Sequence, residues 1–237
     1  MTHKVKPVGK TANQPLKIDE KKLREFAGAT GLSNEFLKKV IDFEGFRTNH
    51  YNIADGNTIG IGHYMDDDPN FKARLKRKEK ITISETQVYS LFKQDLLRKK
   101  AEIRELLKSD FDSLNRGQQE ALVDLSFNLK PSALKNSQLV KAISNHQFKD
   151  ALKEFTFVKA GGKVLPGLCK RRIYDIERFA DGTHPDNAKI AINDIVLNLC
   201  SDDSSALVAP GQQAIENLEM AWVTKKSIKH PFVAMNR

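Results

Sequence analysis

The stretch IDFEGFRTNHYNIADGNTIGIGHY, residues 41 to 64, places one carboxylate at the end of an apolar run and another in a turn. Glu44 precedes Gly45, so we expect it in the last turn of a helix. There it faces the negative end of the helix dipole and lies between Phe43 and Phe46, and both effects disfavour its charged form. We therefore expect Glu44 to keep a proton near neutral pH, as a general acid must.

Asp55 and Thr58 lie in the short segment that follows, close enough in sequence for their polar groups to face Glu44. Two carboxylates held apart by a rigid element suit glycoside hydrolysis, in which one protonates the leaving oxygen and the other acts on a water or the developing cation. Taken singly, Glu44 also suits an ordinary surface position, and Asp55-Gly56 an ordinary turn. The separation of the carboxylates, about 6.5 to 9.5 Å for inversion or about 5 to 5.5 Å for retention, stays open.

The neighbouring glycines and histidine point away from cofactor chemistry. Gly60 and Gly62 leave one strand face without side chains, which either admits a ligand or another backbone or marks a bend. Met65 stands where a dinucleotide fingerprint needs its third glycine, and metalloprotease, hydrolase-elbow and P-loop motifs are absent. His63 is expected to be a buried, hydrogen-bonded histidine, and Asp66 to Asp68 a solvated loop that fails the calcium pattern. We expect neither a metal nor a cofactor.

Capping signals and periodicity define the elements that would position these residues. DEKKLREFAGATG, residues 19 to 31, predicts a short helix, and Ser33 is expected to cap a second helix that ends at Gly45. Residues 51 to 64 are predicted to form a hairpin with a tight DGN turn, the only convincing sheet in the chain. After a polar loop, the capping box SETQ, residues 84 to 87, opens a long helix that reaches about residue 108.

The chain beyond the long helix is predicted to be mostly helical. Asn115 caps a helix that Pro131 stops, two shorter helices follow within residues 132 to 155, and a turn-rich KAGGKVLPG precedes a helix ended by Gly182. Residues 183 to 237 are predicted to be a separate appendage with one helix, which carries Ile215, Leu218 and Trp222.

Length and composition restrict the class of protein. A chain of 237 residues can build one main domain with a cleft. Its net charge of +9 favours an anionic partner, and the basic residues are spread without interleaved aromatics or zinc-finger spacing, which disfavours a specific nucleic acid. The start lacks the apolar core of a signal peptide, and no apolar run approaches the roughly 20 residues of a membrane span. Cys169 and Cys200 are expected to be free thiols of a protein made in the cytoplasm, although one disulfide is compatible with them.

With these residues in place, the sequence resembles the phage-type lysozymes, the glycoside hydrolases that include phage endolysins and tail lysozymes. The family's E-G-x-R, Y-x-D and T-I-G-x-G-H motifs are matched by Glu44 to Arg47, by Tyr51 and by Thr58 to His63. Downstream, LNRGQQEALVDLSFNL resembles the family's L-N-x-x-Q-x-D-A-L-x-x-F-x-F-N, and KAGGKVLPGLCKRR resembles its A-G-G-K-x-L-P-G-L-x-x-R-R. The resemblance covers roughly residues 31 to 182, leaving residues 1 to 30 as a basic N-terminal extension and 183 to 237 as a C-terminal extension of unknown role.

The resemblance implies an α+β, two-lobed fold: a small hairpin lobe and a mostly helical lobe, joined by a long helix, with a cleft for peptidoglycan between them. It implies a bacteriolytic muramidase that cleaves the β-1,4 bond from N-acetylmuramic acid to N-acetylglucosamine. Glu44 would be the acid, and Asp55 and Thr58 would position the attacking water. The implied substrate-binding residues are Tyr64 and Phe127 on sugar faces, Ser137 as a hydrogen-bonding partner of the glycan, and Arg172 or its neighbour Arg171, pairing with Glu44 or with a peptide-stem carboxylate.

One departure from the family pattern keeps alternatives open. The family's aspartate comes two residues after the tyrosine and six before the threonine, but Ile53 holds the first of those places and Asp55 is only three residues before Thr58. Either Asp55 serves from a shifted turn, or Thr58 and another group hold the water, or hydrolysis is impaired. A lytic transglycosylase, which needs the acid but no water-holding aspartate, is the nearest rival. A non-catalytic module that binds glycan or a partner is the alternative from a different class.

The resemblance implies a protein that acts on the bacterial cell wall. Holin-dependent release from the cytoplasm, export by a contact-dependent secretion machine and carriage within a virion all fit the sequence, so the partner that delivers the chain stays open. The positive charge fits each route, because envelope polymers are anionic.

Overall fold

A computed structural model describes residues 18–53, 56–160, 163–181, 184–200 and 204–229. Within these ranges, the helices enclose two hydrophobic cores, one in a small lobe and one in a helical lobe. A three-stranded antiparallel sheet contributes side chains to the small-lobe core. This arrangement confirms the predicted α+β class, with a small lobe that carries the hairpin and a mostly helical lobe.

The first two helices begin and end at their predicted caps. Helix α1 (Glu20–Thr30) follows Asp19, whose carboxylate accepts hydrogen bonds from two backbone N–H groups, and it ends at Gly31. Helix α2 (Asn34–Glu44) follows Ser33, whose hydroxyl accepts a hydrogen bond from the backbone N–H of Phe36, the third residue of the helix, and it ends before Gly45. Apolar residues of both helices are buried together in the small-lobe core, so α1 packs against the lobe that holds the sheet.

The predicted hairpin is present and gains a third strand. Strands β1 (Arg47–Ile53), β2 (Gly56–Gly60) and β3 (His63–Tyr64) pair antiparallel in that order. Thr58 lies directly opposite Tyr51 on one side and Tyr64 on the other. Because directly opposite residues project from the same face of a sheet, these three side chains form a row across it.

The segment after the hairpin is more structured than predicted. It contains helix α3 (Pro69–Lys76), with Asp68 as its cap and proline at its first position. The prediction of a solvated loop over residues 66 to 68 is wrong for two of its aspartates. Asp66 accepts a hydrogen bond from the backbone N–H of Asn57, and Asp68 pairs with His63, because both carboxylates have donors within reach across the turn.

A long helix, α4 (Glu85–Leu107), joins the two lobes. Ser84 and Gln87 form both hydrogen bonds of the predicted capping box. The stripe of apolar residues along this helix contributes to both cores, with Val88, Phe92 and Leu96 in the small lobe and Ile103 and Leu107 in the helical lobe. The helix therefore fixes the distance between the lobes, as the resemblance implied.

His63 ties the sheet to α3 and α4. Its Nδ1 lies 2.8 Å from Asp95 and its Nε2 lies 3.1 Å from Asp68, and the residue is buried, which confirms the predicted hydrogen-bonded histidine. Burial lowers the pKa of this imidazole, but the hydrogen bond and charge of Asp95, with help from Asp68, raise it more. The net pKa of His63 lies above its ordinary value.

The raised pKa of His63 predicts a pH-dependent stability. Its contribution is fully present below the unfolded-state pKa of about 6.5 and is lost as the pH rises through the higher folded-state pKa. We expect the free energy of unfolding, measured with urea between about pH 5 and pH 9, to fall over this interval in the wild type and to fall less in His63→Asn. The exposed His146 provides a matched control, since His146→Asn should keep the wild-type dependence. An unchanged slope in His63→Asn would contradict the assignment.

The helical lobe is built around α6 and α10, which pack side by side. Asn115 and Gln118 form a second capping box at the start of α6, as predicted, but that helix ends at Asn128, and Pro131 begins a short helix instead of ending a long one. The helices of this lobe are α5 (Ser109–Ser113), α6 (Arg116–Asn128), α7 (Pro131–Leu134), α8 (Gln138–Ser144), α9 (Phe148–Lys153) and α10 (Pro166–Phe179).

The turn-rich segment before α10 contains a second, small sheet. Strands β4 (Lys159–Ala160) and β5 (Lys163–Val164) pair antiparallel there. The prediction of a single sheet is therefore wrong. Two-residue strands carry too little alternation for a periodicity argument to detect them.

Two helices beyond residue 182 pack on the core of the helical lobe. Helix α11 (Pro185–Asp194) continues into a π-helical turn (Ile195–Leu199), and α12 (Ser204–Lys229) carries the predicted Ile215 and Leu218 as buried residues. The α11 helix is additional to the one predicted. Within the described ranges, no helix is both long enough and apolar enough to cross a membrane. The domain boundary near residue 182 stays a prediction.

Cys169 and Cys200 form a disulfide, so the prediction of two free thiols is wrong. Cys169 lies on α10 and Cys200 follows the π-helical turn, and both are buried in the helical-lobe core. Their separation of 31 residues gives no pairing signal in sequence, because it depends on how α11 folds back onto α10. The bond links the C-terminal helices to α10.

Opening this disulfide is expected to lower the free energy of unfolding by about 3 to 4 kcal/mol, from the loop-entropy relation for a closure of this length. Urea unfolding of the oxidised protein, with and without a thiol reductant, measures the effect. In a Cys169→Ala, Cys200→Ala double variant the reductant should change nothing. A wild-type midpoint that does not respond to reductant, although free thiols are then titrated, would contradict this prediction.

Candidate active site

Glu44 lies where the two lobes meet. As the last residue of α2, it directs its carboxylate toward α10, and Oε1 accepts a hydrogen bond from Arg171 Nη1 at 2.6 Å. The Glu44 side chain keeps 18% of its surface exposed, whereas that of Arg171 keeps 5%. Of the two arginines proposed as partners of Glu44, Arg171 makes the pair. Glu44 is thus a solvent-accessible carboxylate held by a buried cation.

The surroundings of Glu44 are more polar than its sequence neighbours suggest. The ring of Phe43 packs 5.7 Å from that of Tyr174 on α10, and the ring of Phe46 packs 5.4 Å from that of Tyr89 on α4. Phe43, at the end of α2, therefore packs on α10, and Phe46, just after α2, packs on α4. The expectation of a protonated Glu44 rested on its sequence neighbours, whereas in the fold the charge of Arg171, 127 residues away in sequence, lies against its carboxylate.

A buried carboxylate fixes the start of α2 against the helical lobe. Glu120 of α6 accepts a hydrogen bond from the backbone N–H of Ser33 at 2.6 Å and pairs with Arg178 of α10. The helix that ends at Glu44 is therefore anchored at both ends, by Glu120 at Ser33 and by Arg171 at Glu44. Such anchoring limits how far the carboxylate can move.

The sheet approaches Glu44 through Gly62, in the turn between β2 and β3. A Cβ atom at this position would lie 2.5 Å from Glu44 Oε2 and 2.7 Å from Cδ, and the backbone has a φ of +68°. Glycine is required there for both reasons. Gly60, with a φ of +69°, has only Val88 of α4 nearby, at 3.6 Å from its would-be Cβ. Of the two interpretations offered for these glycines, close approach therefore applies to Gly62.

Thr58 and Tyr51 share the sheet face that borders this junction. Thr58 is 4% exposed, and its hydroxyl makes no hydrogen bond to any residue in the described part of the chain. Burial raises the pKa of the Tyr51 phenol, the negative charge of Glu44 raises it further, and Arg47, 4.4 Å above the ring, opposes them. Tyr51 therefore lies within electrostatic reach of Glu44. Sequence reasoning used it only as a motif residue.

The geometry of Asp55 is not part of the described structure, since residues 54 and 55 lie outside the described ranges. Ile53, which stands at the place of the family's aspartate, belongs to β1 and pairs with Gly56 of β2. An apolar residue thus occupies the strand position from which an aspartate would be expected to serve. The role of Asp55 stays a prediction.

Two of the four predicted substrate-binding residues adjoin the catalytic candidates. Tyr64 is 37% exposed and lies beside Thr58 in the row across the sheet. Phe127, near the end of α6, is partly buried, with the guanidinium of Arg171 5.9 Å from its ring centre. Phe127 is thus next to the cation that holds Glu44, and Tyr64 is next to Thr58; their contacts with a sugar stay predictions.

The other two predicted substrate-binding residues have partners within the protein. The hydroxyl of Ser137 caps α8 by accepting a hydrogen bond from the backbone N–H of Val140. Arg172 is fully buried, pairing with Asp175 at 2.8 Å and donating to Asn128 at 2.9 Å, so it has no exposed surface through which to touch a glycan. The role of Ser137 in binding stays a prediction, whereas direct contact between Arg172 and a glycan does not fit the burial of its side chain.

A residue that sequence reasoning missed holds Arg171 from the other side. Asp124 of α6 is fully buried, and its oxygens accept hydrogen bonds from Arg171 Nε at 2.7 Å and Nη2 at 3.0 Å. Burial lowers the pKa of the Arg171 guanidinium, but Asp124 and Glu44 raise it more, and the net direction is upward. Arg171 thus stays charged between two carboxylates, one fully buried and one partly exposed. The only sequence signal was an acidic residue on a helix face otherwise expected to be apolar.

Comparison with known families agrees with this geometry. A family model described as phage lysozyme matches residues 41–174, which is more than half of the chain. The chain belongs to the phage lysozyme family. The matched residues run from the end of α2 to the middle of α10, so they include Glu44, the sheet, Asp124 and Arg171, and they exclude α11 and α12.

Among phage lysozyme relatives, the chain is 32% identical over 155 residues to an endolysin of Bacillus phage B103, an alignment that covers 64% of this chain and 54% of that protein. It is 31% identical over 142 residues to the endolysin of Salmonella phage P22, covering 60% of this chain and 92% of that one. The chain therefore spans about half the length of the Bacillus phage endolysins it matches.

A solved structure supports the lobe architecture. The muramidase domain of SpmX from Asticaccaulis excentricus superposes with a TM-score of 0.50 at 23% identity, over 62% of this chain and 96% of that one. At this identity the likeness concerns the fold alone.

Proposed function

We propose that this protein is a peptidoglycan hydrolase, an endo-N-acetylmuramidase that cleaves the β-1,4 bond between N-acetylmuramic acid and N-acetylglucosamine. The observation that carries the proposal is the accessible carboxylate of Glu44 at the lobe junction, packed against Gly62 of the sheet and paired with Arg171. Membership of the phage lysozyme family and similarity to phage endolysins support hydrolysis of peptidoglycan in general. The positive net charge supports approach to anionic envelope polymers.

In this proposal Glu44 is the general acid. Its Oε1 is bonded to Arg171, so the proton that it donates to the leaving glycosidic oxygen sits on Oε2, the oxygen that faces Gly62. Tyr64 and Phe127 contact the sugar rings, and the anchored α2 keeps the carboxyl group in a fixed position. Such proton donation accounts for about 10² to 10⁴ in rate.

Thr58 is proposed to hold the attacking water by a hydrogen bond to its hydroxyl. Its buried hydroxyl has hydrogen-bonding capacity that no described residue uses, and burying such a group without a partner is costly. Asp55 is retained in the proposal as the base that activates this water. The phenol of Tyr51, in register with Thr58, is a second polar group on the same sheet face.

A lytic transglycosylase is the second candidate function. The observation in its favour is Ile53 of β1, an apolar residue that pairs with Gly56 of β2 and stands at the place of the family's aspartate. A transglycosylase uses the same acid, but the 6-hydroxyl of the muramic acid replaces water as the nucleophile. No water-holding aspartate is then needed.

Mass spectrometry of purified peptidoglycan after incubation with the protein tests both candidates. Fragments with a reducing muramic acid end support the muramidase, and 1,6-anhydro ends support the transglycosylase. Intact polymer, with bound protein recovered in the pellet, would contradict both and favour a binding module. Delivery through a holin, a secretion machine or a virion is compatible with each outcome.

A further inference from the structure

We propose that Asp124 is a positioning residue, which acts through Arg171 to let Glu44 exchange its ion pair for a proton. The inference rests on the proposed function, because it assigns a role in controlling the general acid. It concerns a position that the family motif L-N-x-x-Q-x-D-A-L-x-x-F-x-F-N leaves unspecified.

The contacts of Arg171 divide between two carboxylates. Asp124 takes Nε and Nη2 in a two-point contact, which leaves Nη1 as the nitrogen that reaches Glu44. A two-point contact fixes the plane of a guanidinium as well as its position. Asp124 thus determines from which direction Arg171 meets the Glu44 carboxylate.

Charge balance gives Asp124 its second effect. When Glu44 carries a proton, Arg171 keeps a buried counter-ion only because Asp124 is present. Without Asp124, protonating Glu44 would leave Arg171 buried without a counter-ion of its own, which is strongly unfavourable in a protein interior. Glu44 would then remain ionised at a pH where the general acid has to be protonated.

The remaining charges near this pair do not replace Asp124. Arg172 lies 3.6 Å from Asp124 and adds a second buried cation, so the demand for a counter-ion increases. Burial raises the pKa of the Asp175 carboxyl well above its ordinary value, although Arg172 opposes this. Asp175 forms its ion pair with Arg172 and is hydrogen-bonded to Asp124, so it supports Asp124 and is not itself an ion-pair partner of Arg171. Arg172 also interacts with the charge of Glu44, as do Tyr51 of β1 and Lys99 of α4, whose Nζ donates to the carbonyl of Ser126.

The test measures the titration of the Glu44 side-chain carboxyl by carbon-13 NMR in the wild type and in Asp124→Asn. We expect its midpoint to move to lower pH in the variant. In parallel, kcat on peptidoglycan should fall about tenfold at neutral pH and recover as the pH is lowered. KM should change little, because Asp124 touches no substrate.

Two further variants separate positioning from a structural effect. Asp175→Asn removes a buried carboxyl that pairs with Arg172 and is hydrogen-bonded to Asp124, without removing an ion-pair partner of Arg171, so it should shift the Glu44 midpoint much less than Asp124→Asn does. In an Arg171→Met background, adding Asp124→Asn should shift the Glu44 midpoint far less than it does in the wild type, since the proposed route is then absent. This double variant removes both partners of the pair, which proteins tolerate better than removing one.

The outcomes are distinguishable because the NMR titration does not require activity. Cleavage by the wild type, with a Glu44 midpoint that Asp124→Asn leaves unmoved, overturns the role of Asp124. Equal loss of kcat at every pH overturns it as well, since a purely structural defect would do this. A shifted midpoint in a protein that leaves peptidoglycan intact supports the link from Asp124 to Glu44 and overturns the proposed function alone.

Discussion

Replacing Glu44 by glutamine is expected to lower the rate of peptidoglycan cleavage by about 10² to 10⁴ while leaving the fold intact. The amide keeps the shape of the side chain, and its oxygen still accepts a hydrogen bond from Arg171. It has no proton to give to the leaving glycosidic oxygen, so the acid-catalysed part of the rate is lost. Clearing of a suspension of purified cell walls measures the rate, and mass spectrometry of the soluble fragments measures residual cleavage.

Glu35 offers a matched control for Glu44→Gln. It lies in the first turn of the same helix, with 77% of its side chain exposed, and its nearest cation is Arg178 at 3.7 Å. Because exposed pairs contribute little, Glu35→Gln should keep the wild-type rate within about twofold. Thermal unfolding of both variants establishes that each is folded. Wild-type clearing by a folded Glu44→Gln would remove the general acid from the proposed mechanism.

The features of the fold that sequence predicted best are those decided within a few residues. Ser33, Ser84 and Asn115 each precede a helix and accept a hydrogen bond from a backbone N–H inside it, so the start of the helix depends on residues three positions apart. Gly31 and Gly45 stop helices for the same local reason. Because Gly45 ends α2, the position of Glu44 in the last turn of that helix could be predicted from sequence alone.

Contacts between distant residues were the part that sequence could not supply. Nothing in KRR distinguishes Arg171 from Arg172, yet one reaches Glu44 and the other is fully buried beside Asp175. The distinction arises from the rotation of α10, because adjacent helical residues point about 100° apart. The Cys169–Cys200 bond was unpredictable for a related reason, since it depends on the path of the chain through α11.

The proposed site therefore combines an acid that is encoded locally with a proposed control of that acid that depends on tertiary packing. Glu44 and Thr58 are 14 positions apart in sequence, at the end of α2 and in the adjoining sheet. Arg171 and Asp124 arrive from α10 and α6, which are brought together by the core of the helical lobe. Asp124 holds the buried guanidinium of Arg171, and this guanidinium pairs with the carboxylate of Glu44. The motif consequently indicates the reaction, whereas the proposed control of the acid depends on residues that only the folded chain brings together.

Replacing Gly62 by alanine is expected to lower cleavage by about 10²-fold, although residue 62 carries no functional group. The new Cβ would lie 2.5 Å from Glu44 Oε2, closer than van der Waals contact allows, so the carboxyl group would have to move. This movement takes the proposed proton donor out of the position from which it reaches the glycosidic oxygen, and a misplacement of about 1 Å can cost about 10²-fold in rate. The measurement is the same clearing assay, with the Glu44 carboxyl titration as a second observation of its altered surroundings.

Gly60→Ala is the matched control, because both glycines have nearly the same φ and only one of them touches Glu44. Each substitution costs about 1 to 2 kcal/mol of stability for placing a Cβ on a left-handed backbone. At Gly60 the new atom would meet Val88 Cγ1 at 3.6 Å, an ordinary contact, so activity should stay near that of the wild type. Equal losses of activity in the two variants would mean that backbone strain, and not displacement of Glu44, is responsible. A large loss confined to Gly62→Ala would place the reacting carboxyl group against the turn between β2 and β3.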